Sequence, residues 1–166
     1  MHLRTSTEAQ TPPNMMGATR IMEVLIVALE VKAAFRREMA AAESAEIQGD
    51  MALAKSHLER AHILGQRWFL AHMESHFHML RIAINESDSK EARGQIVRLI
   101  GAAPFHIVGW LPVGNTGGAN ISPTLPMSIP SDLQPYFAGY SLRKGMVARG
   151  VLIALIVAAY CLFAIG

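Results

Sequence analysis

Histidine is the residue type whose spacing in this sequence could do chemistry. Seven histidines occur in 166 residues, and four of them, His57, His62, His72 and His76, lie within one stretch of twenty residues. Neutral imidazole is the commonest side-chain ligand of transition metals, and residues four apart share one face of a helix. His72 and His76 have that spacing, so the sequence predicts a pair of imidazoles that could chelate one ion.

A helical wheel separates the histidines of this stretch into two faces. With a rotation of ~100° per residue, His76 falls inside an apolar stripe and His72 borders it, whereas Glu74 and His78 point away. The stripe is formed by Phe69, Met73, Leu80 and Ile84. We therefore expect His72 and His76 to be buried and His78 to face solvent.

The preceding helix supplies further candidate ligands. If two antiparallel helices turn near Gln66 and Arg67, His62 lies level with His72, and His57 lies level with His76. Glu59 stands three residues before His62, a spacing that places a carboxylate and an imidazole on one face. The predicted metal ligands are His62, His72 and His76, with Glu59 and His57 as additional members.

The donor set favours zinc or iron over calcium or magnesium, which need a cage of oxygen atoms. Only one Glu-x-x-His step is present, which argues against a di-iron bundle site, and one cysteine excludes an all-thiolate site. Because imidazole titrates near ~6.5, we expect metal affinity to fall below about pH 6. The alternative is a hydrogen-bonded polar core that binds no metal.

Helical periodicity predicts the elements that must position these side chains, and the fold class is all-α. Helices are expected over about 19–48, 51–64, 66–85 and 89–103, with Asp50 and Asp88 as N-caps and Glu91 completing a capping box. The stretch around Gly49–Asp50 faintly resembles one tetratricopeptide unit, although no second copy follows. Residues 1–18 are expected to be disordered, and 19–103 to form antiparallel helical hairpins.

Residues 104–140 change in character. Six of the eight prolines lie between 104 and 135, yet apolar side chains are interspersed among them. We expect helix four to end before Pro104, followed by an ordered, extended strap on the helices. Within the strap, Asn115 and Thr116 are candidates for contacting a metal ligand or cofactor from a glycine-rich turn.

The C-terminal segment 145–166 is predicted to be a single transmembrane helix. Its last sixteen residues carry no charge, and Arg143, Lys144 and Arg149 all precede them. By the positive-inside rule, the N-terminal domain would be cytoplasmic. The partners expected are the lipid bilayer and, as an alternative, a membrane protein complex; a net charge of +2 gives no electrostatic case for nucleic acid.

Several strings resemble an uncharacterised small bacterial helical family, a domain of unknown function, over roughly Phe35 to Leu133. They are AHILGQRW, the HxxxH of His72 and His76, GQIVRL, PVGNTGGANIS and PMSIPSDL. The matching positions are His62, Gly65, Gln66, His72, His76, Gly114, Asn115, Thr116, Gly117, Met127, Ile129 and Pro130, whereas Ser128 departs from the usual proline. The resemblance implies a bacterial protein of no established activity, to which the membrane tail is an addition.

Two functions follow as hypotheses. The first is a protein of the bacterial inner membrane that handles or senses a transition metal. The second is a non-catalytic accessory or assembly subunit of a membrane complex. No nucleophile motif or paired buried carboxylates occur in the sequence, so an acyl transferase or a glycosidase is not predicted. A metal enzyme stays open as a less favoured form of the first hypothesis.

Overall fold

The first helical hairpin joins two helices through a turn at Gly49. The computed structural model describes residues 13–165, in which helix α1 spans Pro13–Ile47 and α2 spans Met51–Gly65. Gly49 has a φ of +80°, and the amides of Gly49 and Asp50 donate to the last carbonyls of α1. The Asp50 side chain accepts from the Leu53 amide at 2.9 Å, as the predicted N-cap requires.

Helix α1 begins earlier than expected. Proline is compatible with the first position of a helix because its missing N–H would have no intrahelical partner there. Residues 13–18 therefore belong to α1, and the rest of the segment that we expected to be disordered, 1–12, lies outside the described residues.

The second hairpin consists of α3, Phe69–Asn85, and α4, Ser89–Val108. Asp88 caps α4 by accepting from the Glu91 amide at 3.0 Å. The second half of the predicted capping box is not formed, because the Glu91 carboxylate accepts from the Ala119 amide of the strap at 2.9 Å. Glu91 thus ties the strap to α4.

The expected end of α4 before Pro104 is wrong. The helix continues through Pro104 for one more turn and ends in a Schellman motif at Gly109, whose φ is +74°. Proline removes one backbone hydrogen bond but leaves the rest of the turn intact. This last turn matters because it carries His106 into the protein interior.

The apolar core lies between α1, α2 and α3, with one side chain from the strap. No strand occurs in residues 13–165, so the all-α fold class is confirmed. The largest buried apolar side chains of the core are Val31, Phe35, Met39, Leu58, Ile63, Leu64, Met79, Ile82 and Leu133.

The strap, which covers residues 109–141 because α4 is longer than expected, returns across the helices. A short 3-10 helix, Gln134–Phe137, brings Tyr136 to α1, where Arg37 donates to its hydroxyl at 3.1 Å. Buried Leu133 lies just before it in the core. The strap is therefore ordered and packed on the helical hairpins.

The last helix, α5, spans Leu142–Ile165 and stands apart from the core. The stretch Arg143–Phe163 is long and apolar enough to cross a membrane, and it is not buried against the rest of the chain. Near its start, Arg149 donates to the backbone carbonyl of His106 at 2.6 Å. This contact joins α5 to the end of α4.

Candidate metal centre

Three imidazoles from the consecutive helices α2 and α3 meet at one point. The Nε2 atom of His62 lies 2.8 Å from that of His72 and 3.2 Å from that of His76, and the last two are 3.0 Å apart. His62 comes from the last turn of α2, and the other two from successive turns of α3. We call this cluster the histidine triad; all three members are buried.

The ring of His62 is oriented by the strap. Its Nδ1 lies 2.8 Å from the backbone carbonyl of Asn115, which also accepts from the Gln66 side chain at 3.3 Å. A carbonyl can only accept, so His62 carries its proton on Nδ1. The Nε2 of neutral His62 therefore presents a lone pair to the centre of the triad.

The ring of His76 is oriented by Gln95 in the same way. The Gln95 Nε2 donates to the Gly117 carbonyl at 2.9 Å and to the Glu91 carboxylate at 2.6 Å. Its Oε1 is therefore the atom 2.7 Å from His76 Nδ1, and it accepts the proton there. His76 also presents an Nε2 lone pair to the centre.

The third ring, His72, faces a fourth imidazole. Its Nδ1 lies 3.4 Å from the Nδ1 of His106, at the end of α4. Whichever nitrogen of neutral His72 bears its proton, the three Nε2 atoms share at most one hydrogen. One hydrogen can serve one of the three close pairs, so at least two pairs bring lone pairs together at 2.8–3.2 Å.

This arrangement is that of a ligand set for a cation. Zinc binds imidazole nitrogen at ~2.0–2.1 Å, and a metal that far from all three Nε2 atoms would lie about 1.1 Å from their plane. Three protein ligands on one side leave a further coordination position open, the pattern of zinc sites that bind a water or a substrate. The triad therefore could hold a metal.

Burial keeps the triad neutral and available as a ligand set. Desolvation lowers the pKa of His72 to about 2 and that of His76 to about 4, the first also through its imidazole neighbours. Desolvation, followed by the neighbouring imidazoles of His72 and His76, holds the pKa of His62 well below its usual value. Metal binding requires unprotonated imidazole, so no proton needs to be displaced at neutral pH.

The glycine-rich turn of the strap is shaped to the triad. Gly117 has a φ of +83°, and a Cβ at this position would lie 2.8 Å from the ring of His62. The Asn115 side chain orders the turn by donating to the carbonyls of Ser122 and Leu125 and accepting from the Gly117 amide. A residue other than glycine at 117 would strain the backbone and displace the ligand.

The two candidate cofactor contacts in this turn differ. Asn115 reaches a triad member through its backbone carbonyl, and its side chain serves the turn itself. The Thr116 hydroxyl has no hydrogen-bond partner among the described residues. Only Asn115 therefore enters the geometry of the site.

His57 and Glu59 are not brought to the triad. The Nδ1 of His57 lies 2.7 Å from the Glu38 carboxylate of α1. Glu59 lines a separate cavity with Glu91, and burial, followed by that second carboxylate, raises its pKa. Five residues on a helix turn the chain by about 140°, so His57 and His62 point in different directions although both face a neighbouring helix.

The apolar stripe predicted for α3 is displaced in the structure. Phe69 and Ile84 are 40% and 61% exposed, so neither lies in the core. The buried residues of α3 are His72, Ser75, His76, Met79, Ile82 and Ala83. Ser75 donates to the Ala71 carbonyl and the Nδ1 of His76 donates to Gln95, and these bonds offset part of the cost of burying polar side chains.

Two residues of the site, Gln95 and His106, were not predicted from the sequence. Gln95 is a single glutamine on α4, and no spacing rule distinguishes it from a surface residue. His106 was missed because Pro104 was interpreted as the end of α4. The only signal for Gln95 was its place in the string GQIVRL, which the resemblance included.

The comparisons with known proteins identify a family. A family model described as a protein of unknown function (DUF3703) matches residues 29–137, about two thirds of the chain, which includes the triad and the strap. The chain belongs to this family, which confirms the expectation of an uncharacterised helical family. No curated protein and no solved structure matches the chain.

Proposed function

We propose that this member of the DUF3703 family binds one late first-row transition metal ion, zinc or iron, through His62, His72 and His76, and handles or senses that metal at a membrane. The observation that carries the proposal is the convergence of three Nε2 atoms within 3.2 Å of one another around at most one hydrogen. A cation at the centre would satisfy lone pairs that otherwise repel.

The donor chemistry supports this choice of metal. The triad contains no carboxylate, and soft or borderline imidazole ligands suit zinc, iron, cobalt, nickel and copper. Magnesium and calcium take oxygen ligands and would find none in the triad. The ring orientations set by Asn115 and Gln95 are the hydrogen bonds that metal-bound histidines usually make through their other nitrogen.

The apolar helix α5 supports a location at the bacterial inner membrane. Its apolar side chains are exposed, and an exposed surface of this size is disfavoured in water. Arg143, Lys144 and Arg149 lie at its N-terminal end, which by the positive-inside rule favours a cytoplasmic helical domain. We infer a single-pass protein in contact with the lipid bilayer.

A second candidate is a non-catalytic accessory subunit of a membrane protein complex. The observation that favours it is an exposed apolar stretch of α1, whose members Ile21, Met22, Val24, Leu25, Ile26 and Leu29 are each about half exposed or more. Such a surface is typical of protein contacts. Affinity purification from crosslinked membranes would recover a constant partner if this candidate is correct.

Metal binding is tested by stripping the purified full chain with a chelator and titrating it with Zn²⁺. We expect one equivalent to bind tightly, and His72→Ala and His76→Ala each to abolish tight binding. His78→Ala is the matched control, because this histidine of the same helix lies outside the triad. Unchanged binding in both triad variants would leave the polar-core interpretation in place.

The membrane location has a separate test. The full chain is expected in the pellet after carbonate extraction, and a chain ending at residue 140 in the supernatant. Recovery of the full chain in the supernatant would contradict the assignment of α5.

A further inference from the structure

The triad opens onto a cavity of about 550 Å³, a size typical of sites for small organic molecules. The buried histidines lie at its inner part, whereas Val97 and Trp110 are 67% and 49% exposed and therefore lie at its rim. The wall between them is largely apolar: Ala102, Phe105, Leu111, Pro112 and Ile121. A ligand that enters would bring an apolar portion against this wall.

The charges around the cavity are of one sign. Arg93 and Arg98 are among the residues that line it, whereas none of the described aspartates and glutamates lines it. Arg98 donates to the backbone carbonyls of Gly94 and Gly118, which are neutral acceptors. A divalent ion on three neutral imidazoles would add two positive charges without a protein anion in contact with it, so the open coordination position favours an anion.

The rim of the cavity lies beside the start of α5. Trp110 follows Gly109, and a Cβ on Gly109 would lie 3.0 Å from Arg149 and 3.4 Å from Met146, both on α5. If α5 crosses the bilayer, the rim is at the membrane surface. Amphiphilic molecules concentrate in that region.

We propose that the cavity binds an alkyl carboxylate, with its carboxylate on the open position of the triad metal and its chain along Phe105 and Trp110. This inference rests on the proposed function, since the metal supplies the head-group contact. The ligand reaches the cavity either from solution, as a medium-chain carboxylate, or from the bilayer, as a long-chain fatty acid.

The test uses the full chain in nanodiscs of phosphatidylcholine, loaded with Co²⁺, whose visible absorption reports the metal's ligands. Octanoate is expected to change the spectrum saturably, whereas octan-1-ol and octyltrimethylammonium are not. Each added methylene in the series from hexanoate to decanoate should tighten binding about fourfold, since burial of one is worth about 0.8 kcal/mol. Oleate placed in the nanodisc, compared with octanoate in solution, distinguishes the two sources.

Two variants of α4 locate the binding at the cavity. Val97→Glu places a negative charge at the rim and should weaken octanoate binding at least tenfold without any loss of Co²⁺ affinity. Ile100→Glu is the matched control, since Ile100 is 73% exposed on the same helix and does not line the cavity. Equal weakening by both variants would overturn the proposed position of the ligand.

The outcomes separate the two proposals. If Co²⁺ binds to the triad but octanoate leaves its spectrum unchanged, the carboxylate proposal is overturned and the metal site stands. Octanoate that binds the metal-free chain equally well would overturn the head-group contact. If Co²⁺ does not bind, both proposals are overturned.

Discussion

Acidification is expected to destabilise the metal-free helical domain strongly between pH 7 and pH 5. In the unfolded chain each triad histidine titrates near its reference pKa of ~6.5. In the folded chain burial lowers the pKa of His76 to about 4 and that of His72 to about 2, and it lowers that of His62 in the same direction. The unfolded state therefore binds more protons as the pH falls. The contribution of the neutral triad to the free energy of unfolding is present above about pH 6.5 and is lost progressively below it.

The magnitude follows from proton linkage. For one histidine that remains neutral in the folded state, the free energy of unfolding falls by about 2 kcal/mol between pH 7 and pH 5. Three such groups would give up to about 6 kcal/mol, which is comparable to the whole stability of a domain of this size, ~5–15 kcal/mol. Burial also lowers the pKa of His106, which acts in the same direction, and raises the pKa of Glu59, which opposes the loss. Carboxylates that keep a pKa near the reference value of ~4 contribute little in this range.

The assay is urea unfolding of residues 1–140, followed by circular dichroism in the presence of a chelator at pH 7, 6 and 5. His76→Gln removes one of the three groups and should reduce the pH-dependent loss by about 2 kcal/mol. His78→Gln is the control and should leave the loss unchanged. A wild-type loss below about 1 kcal/mol would refute the reasoning, because the triad would then not be buried in its neutral form.

Four further outcomes are expected. Because the pKa of His76 is about 4 in the folded chain, Zn²⁺ affinity should fall less than about tenfold between pH 7 and pH 5.5. The loss of affinity would thus begin at a lower pH than the pH 6 expected from the sequence. A competition assay with a chromogenic chelator would show this, and a hundredfold loss would contradict it. Gln95→Leu should lower Zn²⁺ affinity by ~10–100-fold in the same assay, since it leaves the orienting hydrogen bond unmade; unchanged affinity would mean that the ring needs no partner. Gly117→Ala should lower the free energy of unfolding in urea by more than about 2 kcal/mol and weaken metal binding. Gly49→Ala is the control, because Gly49 has a φ of +80° and no atom lies within 4 Å of a Cβ there. This variant should lose only ~1–2 kcal/mol and bind metal normally. Ser87, at a φ of +59° in the turn after α3, is the described non-glycine residue with positive φ; Ser87→Gly should raise the free energy of unfolding by about 1 kcal/mol, and a loss of stability would show that the side chain serves the turn.

The sequence predicts the hairpins and much of the triad because these depend on local rules. Asp50 and Asp88 cap the helices where the pattern places them. Antiparallel register alone brings His62 level with His72. The height of a residue along a helix does not determine the face on which it lies, however. His57 lies on a different face from His62, so its predicted pairing with His76 is not formed.

The contacts that orient the triad could not be predicted because they cross long stretches of sequence. Gln95 reaches His76 from α4, and the Asn115 carbonyl reaches His62 from a turn 53 residues later in the chain. Every residue has a backbone carbonyl, so a sequence pattern cannot show which carbonyl accepts a hydrogen bond from a ligand. Pro104 misled the prediction of the end of α4, because tertiary packing of the last turn overrides the local preference of proline.

The position of the three ligands in the chain has a consequence for synthesis on the ribosome. His62, His72 and His76 lie within 15 consecutive residues, whereas the groups that hold their rings follow in the next 41 residues, up to Gly117. At translation rates of ~5–20 residues per second, the ligands emerge roughly 2–8 seconds before the strap. A nascent hairpin in that interval would hold the three imidazoles without the hydrogen bonds that orient two of them, so it would bind metal less tightly than the finished domain.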